Sequence, residues 1–151
     1  MSGNFRSMLK KGFTLIELLV TITIIGMLAT LSLFALQNAR VQGRDAQRKA
    51  NLETIRSAIE FRRADCGTYP ATMPAVAAVW DGQGCNTNVY VQARPGDPQS
   101  PTRLYLYTPG AGNLTYSVCA ALEEAPATAC TGIPGCGGAC GVACNYCVIN
   151  P

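Results

Sequence analysis

The sequence contains no histidine among its 151 residues. Histidine is the side chain that most often serves as a general base and as a metal ligand in proteins. Its absence argues against most hydrolases and zinc enzymes, so we expect no catalytic residues, no resident cofactor and no enzymatic activity. Charged residues are also scarce, at 14% of the chain against 48% hydrophobic residues. A long disordered region is therefore not expected.

Acidic residues are missing from the first twelve positions, which carry Arg6, Lys10 and Lys11. These three cations account for the whole formal charge of +3, because the nine basic and nine acidic residues that follow cancel one another. A domain that binds nucleic acid usually carries a basic surface. We therefore expect no nucleic-acid partner.

Proline and cysteine are absent from residues 1–65, whereas all nine prolines, all eight cysteines and eleven of the fifteen glycines lie beyond them. A long helix can form where no proline interrupts it, and short strands and turns are typical of a segment rich in proline and glycine. The sequence therefore predicts an α+β protein. One long N-terminal α-helix would pack on a small antiparallel β-sheet, followed by a cysteine-rich C-terminal tail.

Residues 13–36 are apolar apart from a few Thr, Ser and Gly residues and one carboxylate, Glu17. A helix of this length, about 36 Å, is long enough to span a bilayer. Because the basic residues precede it, the positive-inside rule predicts a cytoplasmic N-terminus and export of the chain from about residue 37 onward. A cleaved secretory signal fits less well, since its apolar stretch is only about 7–15 residues long. A simple signal-anchor helix is the alternative.

The carboxylate of Glu17 distinguishes this segment from a simple anchor. A carboxylate in a spanning helix costs about 2.5–3.5 kcal/mol at the bilayer centre and less near an interface. An anchor gains nothing from that cost, whereas a subunit that must recruit a cation does.

Residues 10–20, KKGFTLIELLV, resemble the leader and cleavage motif of type IV pilins and type II secretion pseudopilins. In that family the prepilin peptidase, a membrane aspartyl protease, cleaves after the glycine and methylates the new N-terminus. The resemblance implies cleavage between Gly12 and Phe13 and N-methylation of Phe13. It also implies a role in assembly for Glu17, which would meet the terminal ammonium of a neighbouring subunit. Such a pair is strong at low dielectric constant, and either partner alone is costly.

A second similarity to the same family covers residues 44–70, where RDAQRKANL leads to the helix end DCGTYP. The segments PGDP, YLY and YSV, which begin at positions 95, 105 and 116, match the loop and sheet of major pseudopilins more loosely. The calcium loop of major pseudopilins needs several clustered acids. The corresponding region offers only Asp81 and Asp97, so we do not expect calcium to bind.

The apolar residues Leu52, Ile55 and Ile59 recur at helical spacing after the membrane segment. They predict that the helix continues to about residue 65 and packs this stripe against a sheet. Gly67 is well placed to end the helix in a left-handed conformation, and Pro70 prevents its continuation.

Four cations of this helix are expected on solvated faces, with Asp45 supporting Lys49 at i,i+4. Contact with lipid head groups, or with DNA in an uptake filament, is the alternative role for these cations. They are Arg40, Arg44, Arg48 and Lys49.

Runs of β-branched and aromatic residues at 89–91, 104–107 and 114–119 predict strands. The sequence PGAGN at 109–113 is typical of a hairpin loop between the last two. Trp80 is expected to cover the small core from the loop that joins helix and sheet.

All eight cysteines lie in the part of the chain that we expect to be exported, where an oxidising environment favours disulfides. Their pairing cannot be derived from the sequence, and we propose only Cys66 with Cys85, which would close the loop after the helix. The disulfide candidates are Cys66, Cys85, Cys119, Cys130, Cys136, Cys140, Cys144 and Cys147.

The spacing of the last four cysteines also admits a zinc or iron–sulfur site, or a redox pair of Cys144 with Cys147. The chain has no histidine, and only one C-x-x-C occurs in it. We therefore expect disulfides and no bound metal.

These observations favour a filament subunit: a structural subunit of a type IV pilus-like filament or of a type II secretion pseudopilus. The alternative is a membrane-anchored, extracytoplasmic, cysteine-rich metal-binding or redox protein. The sequence does not separate a pilus from a secretion pseudopilus or a DNA-uptake filament. The predicted segments are a leader (1–12), a transmembrane or filament-core helix (13–36), the exported half of that helix (37–66), a loop and β-sheet (67–124), and a tail (125–151).

The resemblance also implies partners and a location. The partners would be the prepilin peptidase, other copies of the chain and related pilins, an inner-membrane assembly platform, and membrane lipid before assembly. The chain would cross the inner (cytoplasmic) membrane once, with its N-terminus in the cytoplasm, and would then enter a periplasmic or extracellular filament.

Overall fold

The structure, a computed structural model, describes residues 12–82, 84–124 and 130–150. Most of the expected leader and the first residues of the tail lie outside these ranges. The chain divides into two compact units, Met1–Ala39 and Arg40–Pro151. The elements are α1 (Leu15–Cys66), β1 (Trp80–Asp81), β2 (Val89–Val91), β3 (Leu106–Pro109), a 3-10 turn (Ala111–Asn113), β4 (Tyr116–Ala120) and β5 (Tyr146–Ile149).

The fold class expected from the sequence is confirmed: one long helix is followed by small antiparallel sheets. The helix ends at Cys66. Gly67 follows with φ +78°, and its N–H donates to the carbonyl of Arg63 at 2.7 Å. This left-handed ending is the one that the glycine predicted, because a residue without a Cβ adopts it without strain.

Strands β1 and β2 form a two-stranded sheet, and the other three strands form a sheet in the order β3–β4–β5. The strands predicted at 104–107 and 114–119 are displaced by about two residues toward the C-terminus. The hairpin between them explains this shift, because the Gly110 N–H donates to the Thr115 carbonyl and Leu114 remains in the turn. Strand β5, in the tail, was not predicted.

One face of the three-stranded sheet packs against the C-terminal half of α1. Leu52, Ile55 and Ile59 are fully buried there, together with Val118 of β4. Burying one such side chain contributes about 1.5–3 kcal/mol to folding. Trp80 is also fully buried in this core. Its burial agrees with the prediction, but it lies in β1 and not in a loop.

Tyrosine hydroxyls add directional contacts between the helix, the loop after it and the sheet. The Tyr116 hydroxyl donates to the Glu60 carboxylate at 2.8 Å, and the Tyr107 hydroxyl donates to the Pro70 carbonyl at 2.6 Å. Burial raises the pKa of Tyr107 to about 12, so its hydroxyl keeps its proton and remains a donor over the whole physiological pH range.

The tail covers the opposite face of the same sheet. In β4, Ser117 and Cys119 point away from the helix, and both are buried. Their neighbours come from the tail: the Ser117 hydroxyl donates to the Pro134 carbonyl, and Cys140 and Cys144 pack with Cys119 in a second buried cluster. The three-stranded sheet therefore lies between the helix and the cysteine-rich tail.

All eight cysteines form disulfides: one bond joins the tail to β4, two lie within the tail, and one closes the loop after the helix. Cys119 of β4 is bonded to Cys147 of β5, directly across the strand pair. The bond between Cys66 and Cys85 joins the pair named from the sequence. The bonds are Cys66–Cys85, Cys119–Cys147, Cys130–Cys136 and Cys140–Cys144.

The expectation that the helix cations lie on solvated faces was wrong for Arg48 and Arg44. The side chain of Arg48 is fully buried, with Nε 2.8 Å from Asp97 and Nη1 2.8 Å from Glu123. Arg44 also pairs with Glu123, at 2.5 Å. The periodicity of the helix could not reveal this, because the acids that pair with Arg48 lie 49 and 75 residues later in the sequence, and Glu123 lies 79 residues after Arg44.

The pairing of Asp45 with Lys49 was also wrong. Asp45 accepts a hydrogen bond from Arg48 at 2.6 Å and further ones from the backbone N–H groups of Glu123 and Glu124. Burial alone would raise the pKa of Asp45, but these donors hold it below its ordinary value. The Lys49 ammonium lies over the ring of Tyr146, 5.7 Å from its centroid.

Close packing of the tail predicts unequal effects of two glycine substitutions. Gly137 and Gly141 both have positive φ, +75° and +87°, so a Cβ strains the backbone at either position by about 1–2 kcal/mol. A Cβ on Gly141 would also overlap the Thr102 carbonyl, whereas Gly137 has nothing within 4 Å. We expect Gly141→Ala to lower the thermal midpoint several degrees more than the control Gly137→Ala. Equal midpoints would show that Gly141 does not pack closely against the Thr102 carbonyl.

The ion pairs predict a loss of stability in acid. Hydrogen bonds from Arg44, followed by those from Arg48, lower the pKa of Glu123 from 4.5 to about 2. A carboxyl group with a lowered pKa stabilises the fold above its unfolded value, and that contribution is lost as the pH falls through the folded value. The thermal midpoint should therefore fall between about pH 4.5 and pH 2.

A pair of variants tests this origin of the acid sensitivity. Glu123→Gln should lower the midpoint at neutral pH and flatten its decline in acid, because the group that titrates has been removed. Glu53→Gln changes a largely exposed acid, 3.6 Å from Arg56, and should keep the wild-type profile. The interpretation is wrong if Glu123→Gln retains the full decline.

Candidate assembly site

The residues singled out at the N-terminus, Gly12, Phe13 and Glu17, lie at the start of α1. Gly12 and Phe13 precede the helix, and the Phe13 side chain is 89% exposed. A Cβ on Gly12 would meet nothing within 4 Å. The chain on both sides of the expected cleavage point is therefore accessible.

Thr14 and Glu17 form a reciprocal cap on the first turn of the helix. The Glu17 carboxylate accepts hydrogen bonds through Oε2 from the Thr14 N–H at 2.9 Å and from the Thr14 hydroxyl at 2.8 Å. The Glu17 N–H donates to the Thr14 hydroxyl oxygen at 3.3 Å. This arrangement is a capping box, in which Thr and Glu three residues apart satisfy backbone N–H groups that have no helical partner. The sequence signal, T-x-x-E before an apolar run, was present but was not used in the prediction.

The cap leaves half of the Glu17 carboxylate available. Oε1 has no hydrogen-bond partner among the described residues, whereas Oε2 holds two donors. A carboxylate oxygen can accept more than one hydrogen bond. Glu17 can therefore keep its cap on the helix and still accept a donor from another molecule.

Around this carboxylate the helix exposes a continuous apolar surface. A shallow groove of about 400 Å³ is lined by Phe13, Ile16, Glu17, Val20 and Thr21. Exposed apolar patches much larger than a few hundred Å² mark contact with other proteins or with lipid. The exposed large side chains of this segment are Phe13, Leu15, Ile16, Leu18, Leu19, Val20, Ile22, Ile24, Ile25, Met27, Leu28, Leu31, Leu33, Phe34 and Leu36.

The hydroxyl groups in this segment are satisfied within the helix itself. Thr21 donates to the carbonyl of Leu18, and Thr30 donates to the carbonyl of Met27, each at 2.8 Å. A polar group exposed to hydrocarbon is costly unless it is hydrogen-bonded. These bonds let the segment lie in an apolar environment, and α1 is long and apolar enough to cross a membrane.

The cysteine tail does not form the alternative metal or redox site. Cys144 is bonded to Cys140 and Cys147 to Cys119, so the redox pair of Cys144 with Cys147, an alternative that we did not expect, does not form. The described residues include no free cysteine and no group of three or more His, Cys, Asp or Glu side chains able to hold a metal. The tail cysteines instead close two loops within the tail and join its strand β5 to β4.

The calcium region also offers no metal site. Asp97, one of the two acids considered there, uses both carboxylate oxygens to accept hydrogen bonds from Arg48, and one of them also accepts the Gln99 N–H. Asp81 lies in β1, opposite Val89. The residues present therefore do not fit a calcium ion.

Comparisons with known proteins agree with this geometry. The family described as the prokaryotic N-terminal methylation motif matches residues 7–33, which include Gly12, Phe13 and Glu17. The type II secretion system core protein G of Pseudomonas aeruginosa is 28% identical over 104 residues, covering 64% of this chain and 73% of the relative. No solved structure matches the chain.

The motif and the relative confirm the resemblance seen in the sequence, and the paired cysteines favour a filament subunit over a metal-binding protein. The single N-terminal apolar helix fits a membrane-anchored pilin that crosses the membrane once. The matched family is structural, not enzymatic. The chain therefore resembles pilins and pseudopilins, and these findings support a pilin-like filament subunit.

Proposed function

We propose that the chain is a pseudopilin of a type II secretion system, made as a precursor and assembled through its N-terminal helix. The observation that carries this proposal is the half-occupied Glu17 carboxylate at the head of an exposed apolar helix. We choose a secretion pseudopilus over a pilus because the chain is similar to a protein named as a core protein of the type II secretion system.

Cleavage between Gly12 and Phe13 would create the positive charge that Glu17 needs as a partner. In the precursor the nitrogen of Phe13 is an amide and carries no charge. In the cleaved chain it is an α-amino group, which is largely protonated at neutral pH, and N-methylation leaves it able to hold that proton. The prepilin peptidase would perform both steps.

The ammonium of one subunit would then bind Glu17 of its neighbour through the open Oε1. Among apolar helices the attraction between the two charges is strong. Leaving either charge unpaired is costly, so the pair specifies the register of the subunits more than it adds to their stability. The Thr14 cap would hold the carboxylate in a fixed direction while this contact forms.

The disulfides support export of the second unit. Disulfides persist in oxidising compartments and are rare in the cytoplasm, and all four bonds lie between Cys66 and Cys147. Together with the basic leader, they support a cytoplasmic N-terminus, a single span of the inner membrane and a periplasmic domain. The partners would be the prepilin peptidase, other copies of the chain and related pilins, the inner-membrane assembly platform and, before assembly, membrane lipid.

The proposed segments follow from this topology. Residues 1–12 would be removed, residues 13–36 would leave the membrane to form the filament core, and the exported half of the helix would begin at 37. The boundary between the two compact units, at Ala39 and Arg40, lies close to that point. The outer part of the filament would consist of the sheet, from residues 67–124, and of the tail that covers it, residues 125–151.

Cleavage should be detectable in protein extracted from the membrane. We expect an intact mass that corresponds to a chain beginning at Phe13 with one added methyl group. Gly12→Leu should leave the leader attached, because a bulky side chain obstructs the protease at the residue before the cut. A mature N-terminus at Met1, or one near Ala39, would contradict the proposal.

Two substitutions separate the charge of Glu17 from its cap. Glu17→Gln keeps a carbonyl oxygen that can accept from Thr14 but removes the charge, whereas Glu17→Ala removes both. We expect both variants to insert in the membrane, since losing a carboxylate eases insertion, and both to reduce sheared filaments at least tenfold. Thr21→Val, in the same groove, should assemble normally. If Glu17→Gln assembles like the wild type, the cap matters and the charge does not.

A further inference from the structure

The Arg48 guanidinium connects three segments that are distant in the sequence. It donates to Asp45 on its own helix, to Asp97 and Gln99 in the loop before β3, and to Glu123 after β4. A guanidinium has five N–H donors. With a second bond to Asp97 at 3.1 Å, Arg48 makes five hydrogen bonds, enough to use every donor.

The acceptors around Arg48 are occupied as completely as its donors. Both oxygens of Asp97 accept from Arg48. Both oxygens of Asp45 accept the backbone N–H of Glu123, and both oxygens of Glu123 accept from Arg44. No carboxylate oxygen of the three acids is left without a donor, so the cluster is a closed network.

This network brings together oxygen atoms from separate segments, as a bound divalent cation often does in the loops of exported proteins. A calcium ion gathers six to eight oxygen ligands from separate segments at about 2.3–2.6 Å. The Arg48 guanidinium likewise gathers oxygens from a helix and two loops. It is always protonated and directs its donors in a fixed plane.

We propose that Arg48 is a built-in cation that fixes the 97–99 loop and the chain after β4 on the helix, so that this domain folds without calcium. The side chains of Arg48 and Asp97 are both fully buried, and every carboxylate oxygen of the cluster already accepts a hydrogen bond, so an ion could bind there only by displacing those donors. The positive charge of Arg48 would also repel it. This property belongs to the exported unit and holds whether or not the chain assembles into filaments.

The first test measures the thermal midpoint of the full-length protein in detergent, with a calcium chelator and with millimolar calcium chloride. We expect the two midpoints to agree within about 1 °C. A midpoint that rises by several degrees in calcium, or falls in chelator, would overturn the proposal. This measurement requires no variant and no filament.

The second test changes the cation itself. Arg48→Met removes the charge at similar length, and Arg48→Lys keeps the charge but replaces five fixed donors by three on one atom. We expect the midpoint to fall by roughly 10 °C or more for Met, which leaves the buried acids without their cation, and by an intermediate amount for Lys, which can satisfy only some of them. Arg56→Met, at a partly exposed arginine 3.6 Å from Glu53, is the matched control and should shift it by at most about 2 °C.

Amide hydrogen exchange shows where Arg48 acts. In Arg48→Lys we expect faster exchange at residues 97–103 and 123–124, with little change in the β4–β5 pair. If Arg48→Lys retains the wild-type midpoint and exchange, the directed network is not what holds these segments. If Arg48→Met does not fold, the Lys variant and the calcium titration still decide the question.

Discussion

The second compact unit, Arg40–Pro151, depends on the burial of both faces of β4. Its side chains alternate between two cores: Tyr116 and Val118 face the helix, whereas Ser117 and Cys119 face the tail. A strand with two buried faces requires a cover on each side. The helix supplies one cover through its apolar stripe. The tail supplies the other. It has few large apolar side chains, and one disulfide, Cys119–Cys147, joins it to β4 while two more close loops within it.

Polar contacts then fix how the helix and sheet meet. Near one end of the packed helix, Arg48 gathers Asp97 and Glu123, and near the other end Glu60 accepts the hydroxyls of Tyr69 and Tyr116. Apolar burial is not directional and tolerates sliding. Buried hydrogen bonds to charged groups lose much of their free energy when one partner moves away. The helix is therefore held in one register against the sheet.

The N-terminal unit follows a different rule, because its apolar side chains are left uncovered. Its polar atoms are bonded locally, as in the Thr14–Glu17 cap and the Thr21 and Thr30 hydroxyls. A segment built in this way can exchange lipid for neighbouring helices without breaking internal hydrogen bonds. The free oxygen of Glu17 is the exception, and it is the atom on which the proposed assembly contact depends.

Features that depend on the order of neighbouring residues could be predicted before the fold was known. These are the long helix and its end at Gly67, the hairpin at 109–113, and the N-terminal motif around Gly12, Phe13 and Glu17, because each is encoded by neighbouring residues. Contacts between side chains that are far apart in the sequence follow instead from tertiary packing. Arg48 has the spacing of a solvated helix residue and became buried because Asp97 and Glu123 approach it after folding. Strand β5 of the tail could not be predicted for the same reason. It pairs with β4, and no pattern within the tail indicates that partner.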